Sequence, residues 1–297
     1  MGTDRESWDL DEGDAIAPGR TVLKGLGGGS RFEFFLVWDE RMHAICVAKV
    51  LRPDQADSER ALRDLEVEAD LLDELAHPVI VRGFDADLDG EFPHVLIEHL
   101  EGPSLRRLLR RGGPLPPEQL LPLALHVAGA LHYIEQAGFV HLDVKPDNII
   151  MGVPPRLIDL SIARTIERAA ESRGPIGTDA YMAPEQCVAD PPEPMGPPAD
   201  VWGLGATLHH CVSGERPFPR PKEARRDPDP DVRFPQLHSD PQPLPNHVDA
   251  DVAELIDEML SPARADRPTA AEVAARLEPA ISRQPSQIKL GRRRGRS

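Results

Sequence analysis

His141-Leu142-Asp143-Val144-Lys145-Pro146-Asp147-Asn148 sets a carboxylate, an ammonium and a carboxamide at fixed spacing, and Asp159 follows in Leu157-Ile158-Asp159-Leu160-Ser161. The grouping suits phosphoryl transfer. An Asp can accept a hydroxyl proton, a Lys can neutralise charge on the moving group, and an Asn with a second Asp can hold Mg²⁺. The apolar flanks, Ala137-Gly138-Phe139-Val140 before and Ile149-Ile150-Met151 after, read as a short strand pair with the polar loop between two buried anchors. A polar surface turn with a chance His-x-Asp is the competing reading, and only motifs elsewhere in the chain can decide between them.

Such motifs occur in order over residues 20–281. Val47-Ala48-Lys49 puts a Lys in an apolar strand, where an unpaired ammonium is costly and calls for a carboxylate. Glu68 stands on a segment with helical apolar spacing (Leu62, Leu65, Ala69, Leu72) that ends before His77-Pro78. Gly177-Thr178-Asp179-Ala180-Tyr181-Met182-Ala183-Pro184-Glu185, Asp200-Val201-Trp202-Gly203-Leu204-Gly205 and Asp266-Arg267-Pro268 follow. This ordered set resembles the eukaryotic-like (Hanks-type) bacterial serine/threonine protein kinases.

The resemblance implies an α+β, two-lobed fold: a small β-rich N-lobe (20–98) with one main helix, a hinge at about 98–102, and a larger α-helical C-lobe (103–281). It implies ATP and Mg²⁺ as cofactors. Lys49 would grip the phosphates with Glu68 as partner, Asp143 would be the base, Lys145 would stabilise the transferring phosphoryl, and Asn148 and Asp159 would ligate the metal. Leu26, Gly27, Gly28 and Gly29 resemble the loop that covers the nucleotide, because glycines let backbone N–H groups approach phosphate oxygens. Phe34, Ala48, Ile97, Glu98, Leu100 and Ile150 complete the expected nucleotide contacts. Glu185 and Arg267 would form a buried pair in the C-lobe.

The chain departs from the family pattern at four places. Phe32 stands where the third glycine is usual, and Phe34 where a valine usually roofs the base. Leu142 replaces the Arg before the catalytic Asp. Asp159-Leu160-Ser161 keeps the metal ligand but lacks the usual Phe and Gly. None deletes a catalytic group. Lys145 and Thr178 match the Ser/Thr branch, so the implied substrates are proteins with Ser or Thr acceptors. The alternatives are a pseudokinase acting as a nucleotide- or partner-binding module, and a small-molecule phosphotransferase, which Ala183-Pro184-Glu185 and Arg267 argue against.

Composition limits the remaining classes. In 297 residues, 40% are apolar, enough for a packed core, and no apolar run is long enough to span a membrane. The acidic N-terminus shows no secretory signal. Cys46, Cys187 and Cys211 follow no pairing or metal-binding spacing, so a reducing, cytoplasmic setting is expected. A net charge of −16 argues against specific nucleic-acid binding. Residues 1–19 read as a loosely held acidic arm. Residues 282–297 hold six basic and no acidic side chains and read as a disordered basic tail.

Strands are expected around Thr21–Leu23, Phe34–Val37, Ala44–Ala48, Val79–Val81 and His94–Ile97. Helices are expected over 58–76, 118–136, 199–213, 249–260 and from Thr269. Prolines crowd 217–245 too densely for a long helix, which predicts an extended loop across the C-lobe and a possible docking site for a partner with an aromatic groove.

Overall fold

The structure, a computed structural model, describes residues 6–282. Strands β1 (Ala15–Ala17), β2 (Arg20–Gly28), β3 (Phe32–Asp39) and β4 (Ala44–Leu51) lead into helices α1 (Pro53–Ala56) and α2 (Glu59–Glu74). Strands β5 (Gly83–Asp87) and β6 (His94–Glu98) close an antiparallel sheet of order β1-β2-β3-β4-β6-β5. Helices α3 (Leu105–Gly112) and α4 (Pro117–Gln136) open a helical lobe. It continues through the short strands β7 (Phe139–Val140), β8 (Ile149–Ile150), β9 (Arg156–Leu157) and β10 (Arg164–Thr165). Helices α5 (Ile166–Glu171), α6 (Pro184–Cys187), α7 (Pro197–Ser213), α8 (Pro230–Arg233), α9 (Ala250–Met259) and α10 (Ala270–Ser282) complete it. The expected α+β, two-lobed architecture is the one observed.

Strand alternation gives the sheet two apolar faces. Phe35, Val37, Cys46, Ala48, Val50 and Leu96 are buried on one. Phe32, Leu51 and Val95 join Leu65 and Leu72 of α2 on the other. Ser58 caps α2 by accepting from the Ala61 N–H, and the helix lays Leu65, Glu68, Leu71 and Leu72 inward. In the helical lobe α7 is buried along almost its whole length, with α4, α9 and the loop 141–148 packed round it. Gly203 permits this closeness, since a Cβ there would lie 3.1 Å from the Val144 carbonyl oxygen.

Four expectations need correction. The segment before β1 is not loosely held: Trp8 donates its indole N–H to the Leu51 carbonyl (2.6 Å) and packs edge-on against Phe92. Two aromatic rings cover apolar sheet surface that would otherwise face water, which outweighs the acidic composition of the segment. Val79–Val81 is no strand of the sheet. It is an extended link making a single parallel bridge, Ile80 to Leu157, and the missed strand is the neighbouring, more polar β5. The flanks of the polar loop do not pair with each other, because β7 pairs with β10 and β8 with β9. The proline-rich segment has no long helix, as expected, but folds into short turns at Glu223–Arg226, Pro230–Arg233 and Pro235–Leu237 rather than one extended run. The expected basic tail lies outside the described residues except for its first position.

Removing the Trp8 ring tests the first correction. Trp8→Ala is expected to destabilise the protein by about 2 kcal/mol, less than a fully buried aromatic because the ring is only partly buried. For a domain of this size that lowers Tm by roughly 4–8 °C in a thermal melt, and an unchanged Tm would refute the packing role.

Candidate active site

The cleft between the lobes is built on two backbone strains that buried groups hold in place. Leu142 has φ +64° and Asp159 φ +68°, conformations that cost a non-glycine residue energy. The Asp200 carboxylate, buried at the start of α7, accepts from the His141 and Leu142 N–H groups, each at 2.7 Å. From the other side Gln186 donates to the Leu142 carbonyl at 2.9 Å. Gly177 passes close by, where a Cβ would fall 2.7 Å from that same oxygen. The Leu142 side chain is in the core, so the residue replacing an expected Arg acts as a packing anchor.

The loop thus held aims its polar side chains together. Lys145 Nζ donates to Asp143 Oδ2 at 2.5 Å and to Thr178 Oγ1 at 2.7 Å. Asn148 Nδ2 donates to the Asp143 carbonyl (3.0 Å) and to Oδ2 (3.1 Å), which leaves the Asn148 amide oxygen for another partner. Asp143 Oδ1 is buried and accepts no hydrogen bond among the described residues. An unpartnered buried carboxylate oxygen is costly, and here it is the acceptor that a substrate hydroxyl would satisfy.

Across the cleft Lys49 on β4 is buried and donates to both oxygens of Glu68 (2.7 and 2.8 Å) and to Asp159 Oδ1 (2.7 Å). Burial alone would pull the Lys49 ammonium down, but the two carboxylates outweigh it and hold it above the ordinary lysine value. Burial likewise pushes Asp159 up, and the Lys49 charge reverses this, so its carboxyl stays well below the usual range and ionised. Asn148 and Asp159 therefore offer an amide oxygen and a carboxylate, hard oxygen donors that fit a divalent cation such as Mg²⁺.

The expected nucleotide contacts divide. Gly27 has φ +89°, and a Cβ on Gly28 would meet the Phe32 carbonyl at 2.2 Å, so both positions require glycine at the β2–β3 turn. Gly29 closes that turn by donating to the Phe32 carbonyl at 3.0 Å. Leu26 is half-exposed, and Phe34 pairs in register with Lys49 and shares its face. Ile97 and Leu100 are partly buried against the main core, as is Ile158, and Ile150 is half-buried in β8. Ala48 is misplaced: the strand period turns it to the opposite face, among Val37, Cys46 and Val50, so Val47 is the small residue on the cleft side. Two-residue alternation counted back from Lys49 carries that signal. Glu98 contributes no side chain to the cleft, since its carboxylate accepts from the Arg82 N–H (2.9 Å) and pairs with Arg156 (3.2 Å).

Two aromatic and ionic contacts go beyond what the motifs imply. The Phe32 ring is buried with the Lys49 ammonium 4.4 Å from its centroid, and Arg31 at the tip of the turn pairs with Asp64 of α2 at 2.8 Å. Next to Thr178 in the chain, Asp179 is held by Arg220 (2.7 Å) and Arg233 (3.0 Å), while Gln236 donates to its carbonyl (2.7 Å). The proline-rich segment thus braces the loop that carries Thr178.

Known proteins match from two thirds to nearly nine tenths of the chain. "Serine/threonine-protein kinase PknB" of Mycobacterium leprae is 31% identical over 276 residues, 88% of this chain and 43% of that protein. The protein of the same name from Mycolicibacterium smegmatis is 31% identical over 85% of this chain and 41% of its own length. "Serine/threonine-protein kinase pkn2" of Myxococcus xanthus is 32% identical over 67% of this chain and 25% of its own. The chain spans about two fifths of the length of the two PknB relatives. The model of the protein kinase domain matches residues 20–276. That match extends from the first residue of β2 into α10 and takes in both lobes and the cleft between them, and the chain belongs to the protein kinase family.

Proposed function

We propose that this chain transfers the γ-phosphate of Mg·ATP to Ser or Thr hydroxyls of proteins. The observation that carries the reading is the Thr178–Lys145–Asp143 chain of hydrogen bonds with Asp143 Oδ1 left unpartnered beside it. Asp143 receives and orients the acceptor hydroxyl, and takes its proton as the oxygen attacks. Lys145 is placed to offset charge on the transferred group, and Lys49, fixed by Glu68, to hold the nucleotide phosphates. Asn148 and Asp159 would hold Mg²⁺, which when bound neutralises phosphate charge. Gly27, Gly28 and Gly29 would cover the phosphates, and Leu26, Phe34, Val47, Ile97, Leu100 and Ile150 would enclose the base. The test is transfer of label from γ-labelled Mg·ATP to the chain itself or to an added protein, followed by phosphoamino-acid analysis. Label on neither Ser nor Thr would reject the reading.

The catalytic unit is read as residues 20–281, with the segment from Ser7 to Ala17 as a strap on its sheet. A cytoplasmic site of action is supported by ATP dependence and by three buried free thiols. Among the described residues no helix is long and apolar enough to cross a membrane. The exposed prolines of 217–245 leave room for a partner with an aromatic groove, although bracing of Asp179 by Arg220 and Arg233 is the better supported role of that segment.

Activity is not expected to need phosphorylation of the activation segment. Leu142 offers neither charge nor donor to a phosphate, and the candidate acceptors are already engaged locally. Thr165 caps α5 by accepting from the Arg168 N–H, and Ser172 accepts from Arg164 at 2.8 Å and donates to the Arg168 carbonyl. Thr165→Ala/Ser172→Ala should keep most of the rate of phosphatase-treated wild type. A hundredfold fall, reversed by phosphorylation of the wild type, would show that another cation receives the phosphate.

A further inference from the structure

Helix α3 reads Leu-Arg-Arg-Leu-Leu-Arg-Arg-Gly from Leu105 to Gly112, with four arginines and no acidic residue. Leu105 and Leu109 are buried, so the 3.6-residue period leaves Arg107, Arg110 and Arg111 exposed and Arg106 half-buried. Arg106 and Arg107 lie in the first turn, where the helix dipole opposes positive charge. Most arginines elsewhere in this acidic chain are neutralised, as Arg20, Arg31, Arg156, Arg220, Arg233 and Arg267 are by carboxylates. The four of α3 have no ion-pair partner among the described residues, and neither has Arg216, although Glu215 precedes it. At Arg106 and Arg107 a local rule is broken with no ion pair to offset it, which points to function.

The position of these charges says which function. α3 packs against the turn Pro146–Asn148, directly after Lys145, and Ser104 at its start bridges to Ile150. The Arg216 guanidinium lies 5.9 Å from the centroid of the Tyr181 ring, three residues beyond Thr178. Tyr181 shares a 2.7 Å hydrogen bond with His210. Burial, then the charges of Arg106 and Arg216, hold His210 down at about 4, so it is neutral and adds no charge of its own at neutral pH. Asp147, exposed on the same turn, adds an opposing charge. Two separate elements, α3 and the end of α7, thus bring unneutralised guanidinium groups to the side of the loop that carries Asp143. Guanidinium groups recognise carboxylates in preference to other peptide groups. The net charge of −16 disfavours a polyanion such as nucleic acid and leaves an acidic peptide segment, which needs only local complementarity.

We propose that Arg106, Arg107, Arg110, Arg111 and Arg216 form a cationic rim that selects protein substrates whose acceptor hydroxyl is flanked by acidic residues. The proposal rests on the phosphotransfer reading above and adds the substrate class to it. The test uses three peptides with one serine each, flanked by glutamates, lysines or alanines, and follows label from γ-labelled Mg·ATP with the chain's own labelling in parallel. At low salt kcat/KM for the glutamate peptide is expected to exceed that for the lysine peptide at least tenfold, and the ratio to fall as ionic strength rises. Arg106→Glu/Arg216→Glu should invert the order. Arg107→Glu/Arg110→Glu, at exposed positions that do not hold the fold, should lower the same ratio and keeps the test valid if the first pair misfolds. Label in the chain itself or the alanine peptide without a preference for glutamate overturns this proposal alone. Label in no acceptor takes down the phosphotransfer reading and this one with it. A glutamate preference unchanged in both variants, which instead lose binding to anionic phospholipid vesicles, assigns the rim to a membrane surface and overturns the proposal.

Discussion

Asp143→Asn and Lys49→Met are each expected to lower phosphate incorporation about 10²-fold or more, with the fold intact in Asp143→Asn. The two act on different parts of the step. The amide introduced by Asp143→Asn keeps the size of the side chain but cannot take a proton, and it weakens the 2.5 Å charge-assisted bond from Lys145, which keeps its second bond to Thr178. Its effect belongs in kcat, because the group is used as the acceptor oxygen attacks. Lys49→Met removes the ammonium that both Glu68 and Asp159 share, leaving the Glu68 carboxylate buried without a counter-charge. That variant loses phosphate contact as well, and a rise in the KM for ATP should accompany the fall in rate. Equal label in wild type and both variants, measured with γ-labelled Mg·ATP, would show that the cleft does not carry the chemistry.

Most of this cleft was legible in the sequence because its chemistry demands particular residue types at short spacing. Asp143, Lys145 and Asn148 lie within one loop, and Glu68 is singled out by its place in the ordered motif set, with which the need of Lys49 for a buried carboxylate agrees. What was not legible depends on three-dimensional packing. Nothing in a Trp within an acidic leader says that it will cover Phe92, because the sheet face it fills exists only once β3, β4 and β6 have paired. The face of Ala48 was a matter of counting, since the residue beside a cleft-facing Lys in a strand must point away. Glu98 fell in the expected hinge, but its carboxylate is taken by Arg156, more than fifty positions on, a partnership no local pattern announces. Leu142 shows the same limit from the other side. The sequence shows which charge is missing there, and only the fold shows that Asp200 and Gln186 clamp its backbone in a strained conformation.

Arg267→Ala is expected to destabilise the protein by roughly 3–5 kcal/mol, because it strands a carboxylate in the core. The guanidinium is fully buried and forks onto Glu185, with NH1 to Oε1 at 2.7 Å and NH2 to Oε2 at 3.0 Å. Its remaining donors reach the carbonyls of Ser261, Pro198 and Pro262, and its plane lies 4.9 Å from the Trp202 ring centroid. Alanine removes the donors of the Glu185 carboxylate and of the Ser261 and Pro262 carbonyls, while the Pro198 carbonyl keeps its place in the backbone ladder of α7. Arg264, 3.8 Å from Glu185 Oε1, is too distant for a hydrogen bond and softens the loss only in part. Arg267→Lys should recover little, since an ammonium cannot make the planar fork. The pair ties α6, at the end of the loop bearing Thr178 and Asp179, to the segment before α10, so its loss should also loosen the peptide platform and raise the KM for a protein acceptor. Glu185→Gln/Arg267→Met, which removes both charges, should cost less than Arg267→Ala, because the penalty lies in the uncompensated charge rather than in the absence of the pair. Thermal melts of the three variants decide the matter: an unchanged Tm in Arg267→Ala, or a double variant less stable than the single one, would contradict a buried pair held by mutual need.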